Sequence, residues 1–193
     1  ELKKKQVQAP KRDISSLTLN NRPTLGSNNA PVKIIEFLDF NCPYCKKFSL
    51  NVLPQIKQEY VSSGLVQVIF KNFPLNVYSQ KLALAGQCAF EQKKFWEFYD
   101  LIAKKEERMT DEQIKELAKV LNLNEPQFNE CFDKQKYLKE IEQDFQEGMN
   151  VGINGTPSFF VNETFVNGFR NYEEFKKIID NEIQKIANLQ RQP

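Results

Sequence analysis

The stretch from residue 37 to residue 48 reads Phe37-Leu38-Asp39-Phe40-Asn41-Cys42-Pro43-Tyr44-Cys45-Lys46-Lys47-Phe48. An apolar run, Ile34–Leu38, leads into it and is typical of a buried strand. Apolar residues at helical spacing then continue to about Tyr60. We therefore predict a strand, a short loop and a helix, with the cysteine pair at the start of that helix.

The start of a helix should affect the acidity of Cys42 more than that of any other residue in this stretch. At a helix N-terminus Cys42 would face unpaired backbone N–H groups and the positive end of the helix dipole. Cysteines placed in this way have pKa values of roughly 3.5–7.5, against about 8.5 for a free thiol. Pro43 suits the first helical turn, since it has no N–H to leave unpaired. The arrangement resembles the redox centre of a thioredoxin-like protein.

Composition excludes several classes of function. The chain has 193 residues, 27 basic and 25 acidic, so its net charge of +2 does not suggest nucleic-acid binding. It contains no His, which rules out Ser-His-Asp and Cys-His nucleophiles and His metal sites. No apolar run approaches the ~20 residues of a membrane span. The chemistry then rests on Cys, carboxylate, Lys, Tyr or backbone groups, and we expect no cofactor.

The N-terminal residues 1–31 read as a polar, irregular extension. Its lysine cluster, residues 3–5, is interpreted as a solvated tail, with an oligomerisation or docking arm as the alternative. We predict a short edge strand over Ile14–Leu19.

The remaining pattern predicts an α/β protein with a helical insertion. Residues 32–71 and 155–189 would form the α/β unit, and residues 72–154 the insertion. Pro54 predicts a kink in the first helix. The expected strands are Val32–Leu38, Leu65–Phe70, Thr156–Val161 and Thr164–Gly168, with a hairpin turn at Asn162–Glu163. The expected later helices run over about Tyr78–Lys104, from the capping box Thr110–Gln113, from Pro126, over Tyr137–Met149, and over about Tyr172–Leu189.

Glu36 stands inside the first apolar strand. One reading places it on a half-exposed strand face. The other makes it a partly buried carboxylate near the cysteines, with a pKa raised by desolvation, that relays protons during thiol exchange.

Three segments together resemble the DsbA family of bacterial thiol-disulfide oxidoreductases. They are Glu36–Cys45, the helical segment Cys88–Phe98, and Gly152–Val161, which contains Thr156-Pro157. The similarity covers about residues 26–189, and it implies a thioredoxin fold with a large helical insertion between the second core strand and the Thr-Pro strand.

The resemblance also implies roles for individual residues. Cys42 would be the nucleophile and Cys45 the resolving thiol. Pro157 would follow a cis peptide bond beside the reactive cysteine, and Thr156 would offer backbone groups to an extended peptide. Glu36 matches the family's buried acid, which favours the relay reading. Lys71, at the end of the next strand, is expected to pair with Glu36.

Tyr44 is a departure from the family's strong oxidases, many of which carry His between the cysteines. With Thr156 before the proline, the chain looks more like the branch of isomerases, reductases and ScsC proteins. We therefore expect a less extreme Cys42 pKa. Sequence leaves the direction of exchange open, because it depends on a redox potential between roughly −270 and −120 mV across related enzymes.

Cys88 and Cys131 complete the set of four cysteines. A structural disulfide across the insertion is one interpretation, and two buried reduced thiols are the alternative. A zinc site with all four cysteines is disfavoured, since structural zinc usually needs two close cysteine pairs.

The resemblance implies cysteine-containing protein substrates and a membrane partner that reoxidises or reduces the enzyme. No signal peptide stands at Glu1, so the chain reads as cytosolic or as a mature form without its leader. The family favours a mature form in the periplasm or another bacterial extracytoplasmic space. Isomerases of the family are generally oligomers joined through N-terminal segments, so homo-oligomerisation through the N-terminal segment would favour an isomerase.

Two other functions are considered. One is a glutaredoxin-like reductase, and the other is a copper- or metal-binding dithiol protein.

Overall fold

The computed structural model describes residues 12–191 and shows a mixed α/β architecture. Within that range the strands form one five-stranded sheet in the order β1-β3-β2-β4-β5. The strands are β1 (Thr24–Leu25), β2 (Val32–Leu38), β3 (Val66–Asn72), β4 (Ser158–Val161) and β5 (Thr164–Asn167).

The central pair, β2 and β3, is parallel, and its register fixes which side chains share a face. Glu36 lies opposite Phe70, and Phe37 lies opposite Lys71. Because side chains alternate along a strand, Glu36 and Lys71 point to opposite faces of the sheet. β4 runs antiparallel to β2 and places Phe159 opposite Glu36.

Helices cover the sheet and fill the connection between β3 and β4. They are α1 (Pro43–Asn51), α2 (Leu53–Ile56), α3 (Val77–Glu91), α4 (Phe95–Ala103), α5 (Asp111–Val120), α6 (Glu125–Asp133), α7 (Leu138–Asn150) and α8 (Tyr172–Gln190). A π-helical turn, Lys57–Val61, follows α2. The expected break near Pro54 is confirmed, since α1 ends before this residue and α2 carries it in its first turn.

The two faces of the sheet bury separate apolar clusters. Ile34 and Phe70 belong to the larger one, which includes residues of α1, α3, α4 and α8. Ile35 and Phe37 belong to the smaller one, which Leu17 of the N-terminal segment also joins. None of the helices within residues 12–191 is long and apolar enough to cross a membrane.

Two expectations about helices and strands are wrong. The single helix predicted over about Tyr78–Lys104 is divided into α3 and α4, because Lys93 adopts a positive φ of 62° that interrupts helical geometry. Residues 14–19 form no strand, and Thr24–Leu25 supplies the edge strand by pairing with β3. The lysine cluster at residues 3–5 lies outside the described residues.

Other local signals are confirmed. Thr110 and Gln113 form the capping box of α5, each side chain bonding to the other's backbone N–H. Asn162 takes a positive φ of 49° in the turn between β4 and β5. These signals are short-range, and they hold because they depend on side chains and backbone groups within a few residues of one another.

Candidate active site

Cys42 occupies the N-cap of α1, with Pro43 as the first helical residue. It is partly exposed, whereas Cys45 one turn later is buried. The Sγ atom of Cys42 donates a hydrogen bond of 3.3 Å to the carbonyl oxygen of Thr156. The helix start therefore presents one accessible sulfur and keeps the second behind it, as the spacing of the pair predicts.

The surroundings of the two thiols separate their acidities. A hydrogen bond from Cys45, together with backbone N–H groups of Tyr44 and Cys45, lowers the pKa of Cys42 to about 6 against the opposing effect of partial burial. Burial, followed by the interaction with Cys42, raises the pKa of Cys45 well above its usual range. At neutral pH Cys42 is therefore mainly a thiolate and Cys45 a thiol.

Asp39 shapes the loop that delivers Cys42, and the sequence analysis assigned it no role. Its carboxylate accepts hydrogen bonds from the backbone N–H of Asn41 at 2.7 Å and of Leu75 at 3.0 Å. Its carbonyl oxygen accepts from the N–H of Cys42 at 3.0 Å. An Asp in a loop often accepts a hydrogen bond from the backbone N–H two residues on, and this turn signal could have indicated the role of Asp39.

Glu36 lies fully buried on β2, so the half-exposed position is wrong, and its role as a proton relay stays a prediction. Burial raises its pKa to about 8, although a hydrogen bond from Tyr99 favours the charged form. The Tyr99 hydroxyl donates to Oε1 of Glu36 at 3.0 Å. Glu36 also lies near enough to Cys45 for its charge to raise the Cys45 pKa. A buried titratable acid thus stands behind the dithiol.

Lys71 does not pair with Glu36, which corrects that prediction. Its Nζ lies 2.6 Å from Oδ1 of Asp144 and 2.6 Å from Oε2 of Glu147, both on α7. It also donates to the carbonyl oxygen of Thr18 at 2.9 Å. The register of β2 and β3 explains this result, since it turns Lys71 toward the face opposite Glu36. Lys71 therefore belongs to an ion cluster on the face of the sheet opposite Glu36.

The surface beside Cys42 combines an aromatic side chain with a cis-proline loop. The Thr156–Pro157 peptide bond is cis, as the resemblance implied. Tyr44 is 61% exposed, and its ring centroid lies 6.4 Å from that of Phe169. The ammonium of Lys47 lies 4.7 Å from the Phe169 ring centroid. Phe169 follows β5 and was missed by sequence reasoning, because nothing local marks it as a neighbour of the dithiol.

The other two cysteines, Cys88 on α3 and Cys131 on α6, form a disulfide. This is the first of the two interpretations left open by the sequence. It joins the helices of the insertion, and both residues are buried. Within residues 12–191 no group of three or more His, Cys, Asp or Glu side chains is placed to hold a metal ion.

Comparisons with known proteins agree with this geometry. The thioredoxin family model matches residues 18–181. A probable disulfide bond formation protein D from Bacillus cereus is 35% identical, and the match covers 86% of this chain and 81% of the relative. The oxidised crystal structure of BdbD from Bacillus subtilis superposes with a TM-score of 0.80 at 27% identity, covering 86% of this chain and 95% of that one. Alpha-DsbA1 from Wolbachia pipientis gives a TM-score of 0.79 at 27% identity, covering 90% and 97%.

Proposed function

The chain belongs to the thioredoxin family, among its DsbA-type thiol-disulfide oxidoreductases, and from this premise we propose that it introduces disulfides into protein substrates through Cys42 and Cys45. The observation that carries the proposal is the asymmetry of the two thiols. An accessible sulfur with a pKa of about 6 is a good leaving group, and a buried sulfur with a raised pKa stays out of reach of substrates. The name of the Bacillus cereus relative, a probable disulfide bond formation protein, favours oxidation.

The proposed reaction starts from the Cys42–Cys45 disulfide. A substrate thiolate attacks Sγ of Cys42, a mixed disulfide forms, and Cys45 leaves with the electron pair. A second substrate thiolate then attacks the substrate sulfur of the mixed disulfide and expels Cys42 as its thiolate. Two electrons pass from two substrate thiols to the enzyme, which ends as the dithiol. The low pKa of Cys42 favours the second expulsion, because a more acidic thiol leaves faster.

Glu36 is proposed to handle the proton of Cys45. When Cys45 leaves as a thiolate in a buried site, it takes a proton, and the protonated carboxyl of Glu36 supplies it. In the reverse direction the Glu36 carboxylate accepts the proton of the Cys45 thiol. A pKa of about 8 keeps Glu36 mostly protonated at neutral pH while leaving a fraction ionised, so it serves both directions.

Thr156 and the surface around Tyr44 are proposed to hold the substrate. The carbonyl oxygen of Thr156 already lies at the sulfur of Cys42, so a substrate strand that pairs with Thr156 brings its own sulfur to Cys42. The exposed Tyr44 ring and its neighbour Phe169 provide apolar contact for a partly folded chain. Both features accept many sequences, as an enzyme acting on diverse proteins requires.

We place this chemistry outside the bacterial cytoplasm, with a membrane redox partner that reoxidises the dithiol. The buried Cys88–Cys131 disulfide supports an oxidising compartment. Self-association through the N-terminal segment stays a prediction, and residues 1–11 lie outside the described part of the chain.

The test uses the disulfide form of the protein and reduced, unfolded ribonuclease. We expect the substrate to gain activity while Cys42 and Cys45 become reduced in proportion. Cys42→Ser should abolish the transfer. Cys45→Ser, tested with an oxidised substrate, should accumulate a Cys42 mixed disulfide visible on a non-reducing gel. Oxidation that survives in Cys42→Ser would place the chemistry elsewhere. Rescue of scrambled ribonuclease without net oxidation would make the enzyme an isomerase.

A further inference from the structure

Tyr99 on α4 is a buried polar side chain to which the exchange reaction above gives no role. Its hydroxyl donates to Oε1 of Glu36 at 3.0 Å, and both residues are buried. Within residues 12–191 no other side chain hydrogen-bonds Glu36, and its Oε2 has no partner. One oxygen of the carboxyl group is therefore held, and the other is free.

The Tyr99 ring is held in place by other aromatic side chains. Its centroid lies 5.9 Å from that of Phe40 and 6.2 Å from those of Phe70 and Phe95. Such close aromatic packing leaves the ring little room to turn away, so the position of the hydroxyl is determined. The helical insertion thereby places one oxygen atom against the acid behind the dithiol.

The titratable groups around this contact come from three elements. Glu36 comes from β2, Tyr99 from α4, and Cys45 from α1, with Cys42 next to it. Lys71 of β3 is turned to the other face of the sheet. No lysine or arginine in the described range forms an ion pair with Glu36, so the Tyr99 hydroxyl provides its polar support.

We propose that Tyr99 is a positioning residue for the Cys45 step: it holds Oε1 of Glu36 and leaves Oε2 to exchange a proton with the Cys45 thiol. This inference rests on the role of Glu36 proposed above. It adds a residue of the helical insertion to the groups that act on Cys45.

The step is clearest in the reductive direction, on a mixed disulfide at Cys42. The Cys45 S–H bond gives its proton to Oε2 of the Glu36 carboxylate. The Cys45 sulfur bonds to the Cys42 sulfur, the bond between Cys42 and the bound thiol breaks, and that thiol leaves as a thiolate with the electron pair. Glu36 must be ionised at the start, and a hydroxyl that donates to its carboxylate favours this form.

Tyr99→Phe removes the donor and keeps the ring, so the packing is retained. The Tyr99 hydroxyl stabilises the charged form of Glu36, so its loss should move the titration of Glu36 upward by about one pH unit. The Cys45 step should then slow about tenfold near neutral pH. Attack by Cys42 should keep its rate.

A stoichiometric reaction with dithiobis-nitrobenzoate separates the two steps. The dithiol protein releases one nitrothiolate as Cys42 attacks and a second as Cys45 resolves, and both releases are followed by absorbance in stopped flow across pH. We expect wild type to show a second phase with a midpoint near the Glu36 pKa of about 8. Tyr99→Phe should raise that midpoint and leave the first phase unchanged. Tyr137→Phe is the matched control, because its hydroxyl bonds Glu91 at 3.0 Å, away from the dithiol.

The outcomes separate this inference from its premise. If Glu36→Gln alters the second phase and Tyr99→Phe coincides with wild type at every pH, Tyr99 has no positioning role. A change of both phases in Tyr99→Phe would also overturn the inference, since it would indicate a general disturbance of the site. If Glu36→Gln leaves the second phase unaltered, the relay role of Glu36 fails, and the inference fails with it.

Discussion

The sulfur of Cys42 lies 3.3 Å from the carbonyl oxygen of Thr156, although 114 positions separate the two residues. In the thiol form this carbonyl accepts a hydrogen bond from the S–H group of Cys42. The contact brings the loop before the cis Pro157 against the cysteine at the start of α1.

The Cys42 thiol should titrate near pH 6, because Cys45 and the backbone at the start of α1 donate to its thiolate. Cys45→Ala removes the leading donor and should raise the Cys42 pKa toward its usual range. Cys45→Ser keeps a donor of similar size and should preserve most of the effect. Thiolate absorbance and the pH dependence of alkylation measure the change. Equal Cys42 pKa values in the alanine and serine variants would contradict this explanation.

Glu36 should make the protein less stable as pH rises. Its pKa is about 8 when folded and near 4.5 when unfolded, so its stabilising contribution is complete below 4.5 and is lost as pH rises through 8. Glu36→Gln should therefore gain stability relative to wild type between about pH 5 and about pH 8, by roughly 1 kcal/mol or more. Urea unfolding of the disulfide forms measures the difference. If the stability difference between Glu36→Gln and wild type is the same at about pH 5 and at about pH 8, the pKa of Glu36 is not raised in the folded protein.

The Cys88–Cys131 disulfide closes a separation of 43 residues. Loop-closure entropy predicts a stabilisation of about 4 kcal/mol from a loop of this length. Replacement of both cysteines by alanine should lower the free energy of unfolding by that order, measured in denaturant. Exchange through Cys42 and Cys45 should persist at temperatures where the variant is folded. A variant as stable as wild type would indicate that the disulfide does not brace the insertion.

Lys71→Met should destabilise the protein without altering the pH dependence of exchange. The substitution removes the cation shared by Asp144 and Glu147. Arg22 still pairs with Asp144 at 2.8 Å, so the loss should lie near the lower end of the about 3–5 kcal/mol that breaking a buried ion pair costs. Lys71→Arg is a control that retains the charge. Denaturant unfolding and the pH profile of disulfide exchange measure the two effects. If the pH profile of exchange shifts in Lys71→Met, Lys71 acts on the dithiol site, and the conclusion that it does not pair with Glu36 is contradicted.

Local sequence signals predicted much of this site. The Cys-x-x-Cys pair, the proline at the helix start, the capping box at Thr110 and the turn at Asn162 depend on residues close in sequence. Each is fixed by backbone chemistry within a few positions. The family resemblance supplied the disulfide-exchange function and the cis bond before Pro157.

Long-range register accounts for what the sequence did not reveal. Lys71 and Glu36 end up on opposite faces because of a one-residue difference in the β2–β3 pairing, which no single strand encodes. In the sequence Tyr99 is one of several aromatic residues on a helical face, and nothing near it in sequence indicates its hydrogen bond to Glu36. The break between α3 and α4 at Lys93 was not predicted because no Gly or Pro lies there.

The reduction potential of the Cys42–Cys45 pair, from equilibrium with glutathione, tests the central claim most directly. A Cys42 pKa of about 6 stabilises the dithiol state relative to the disulfide. We expect a potential above that of thioredoxin, about −270 mV, and below that of DsbA, about −120 mV. A value at or below about −270 mV would contradict the proposal and make the protein a reductase.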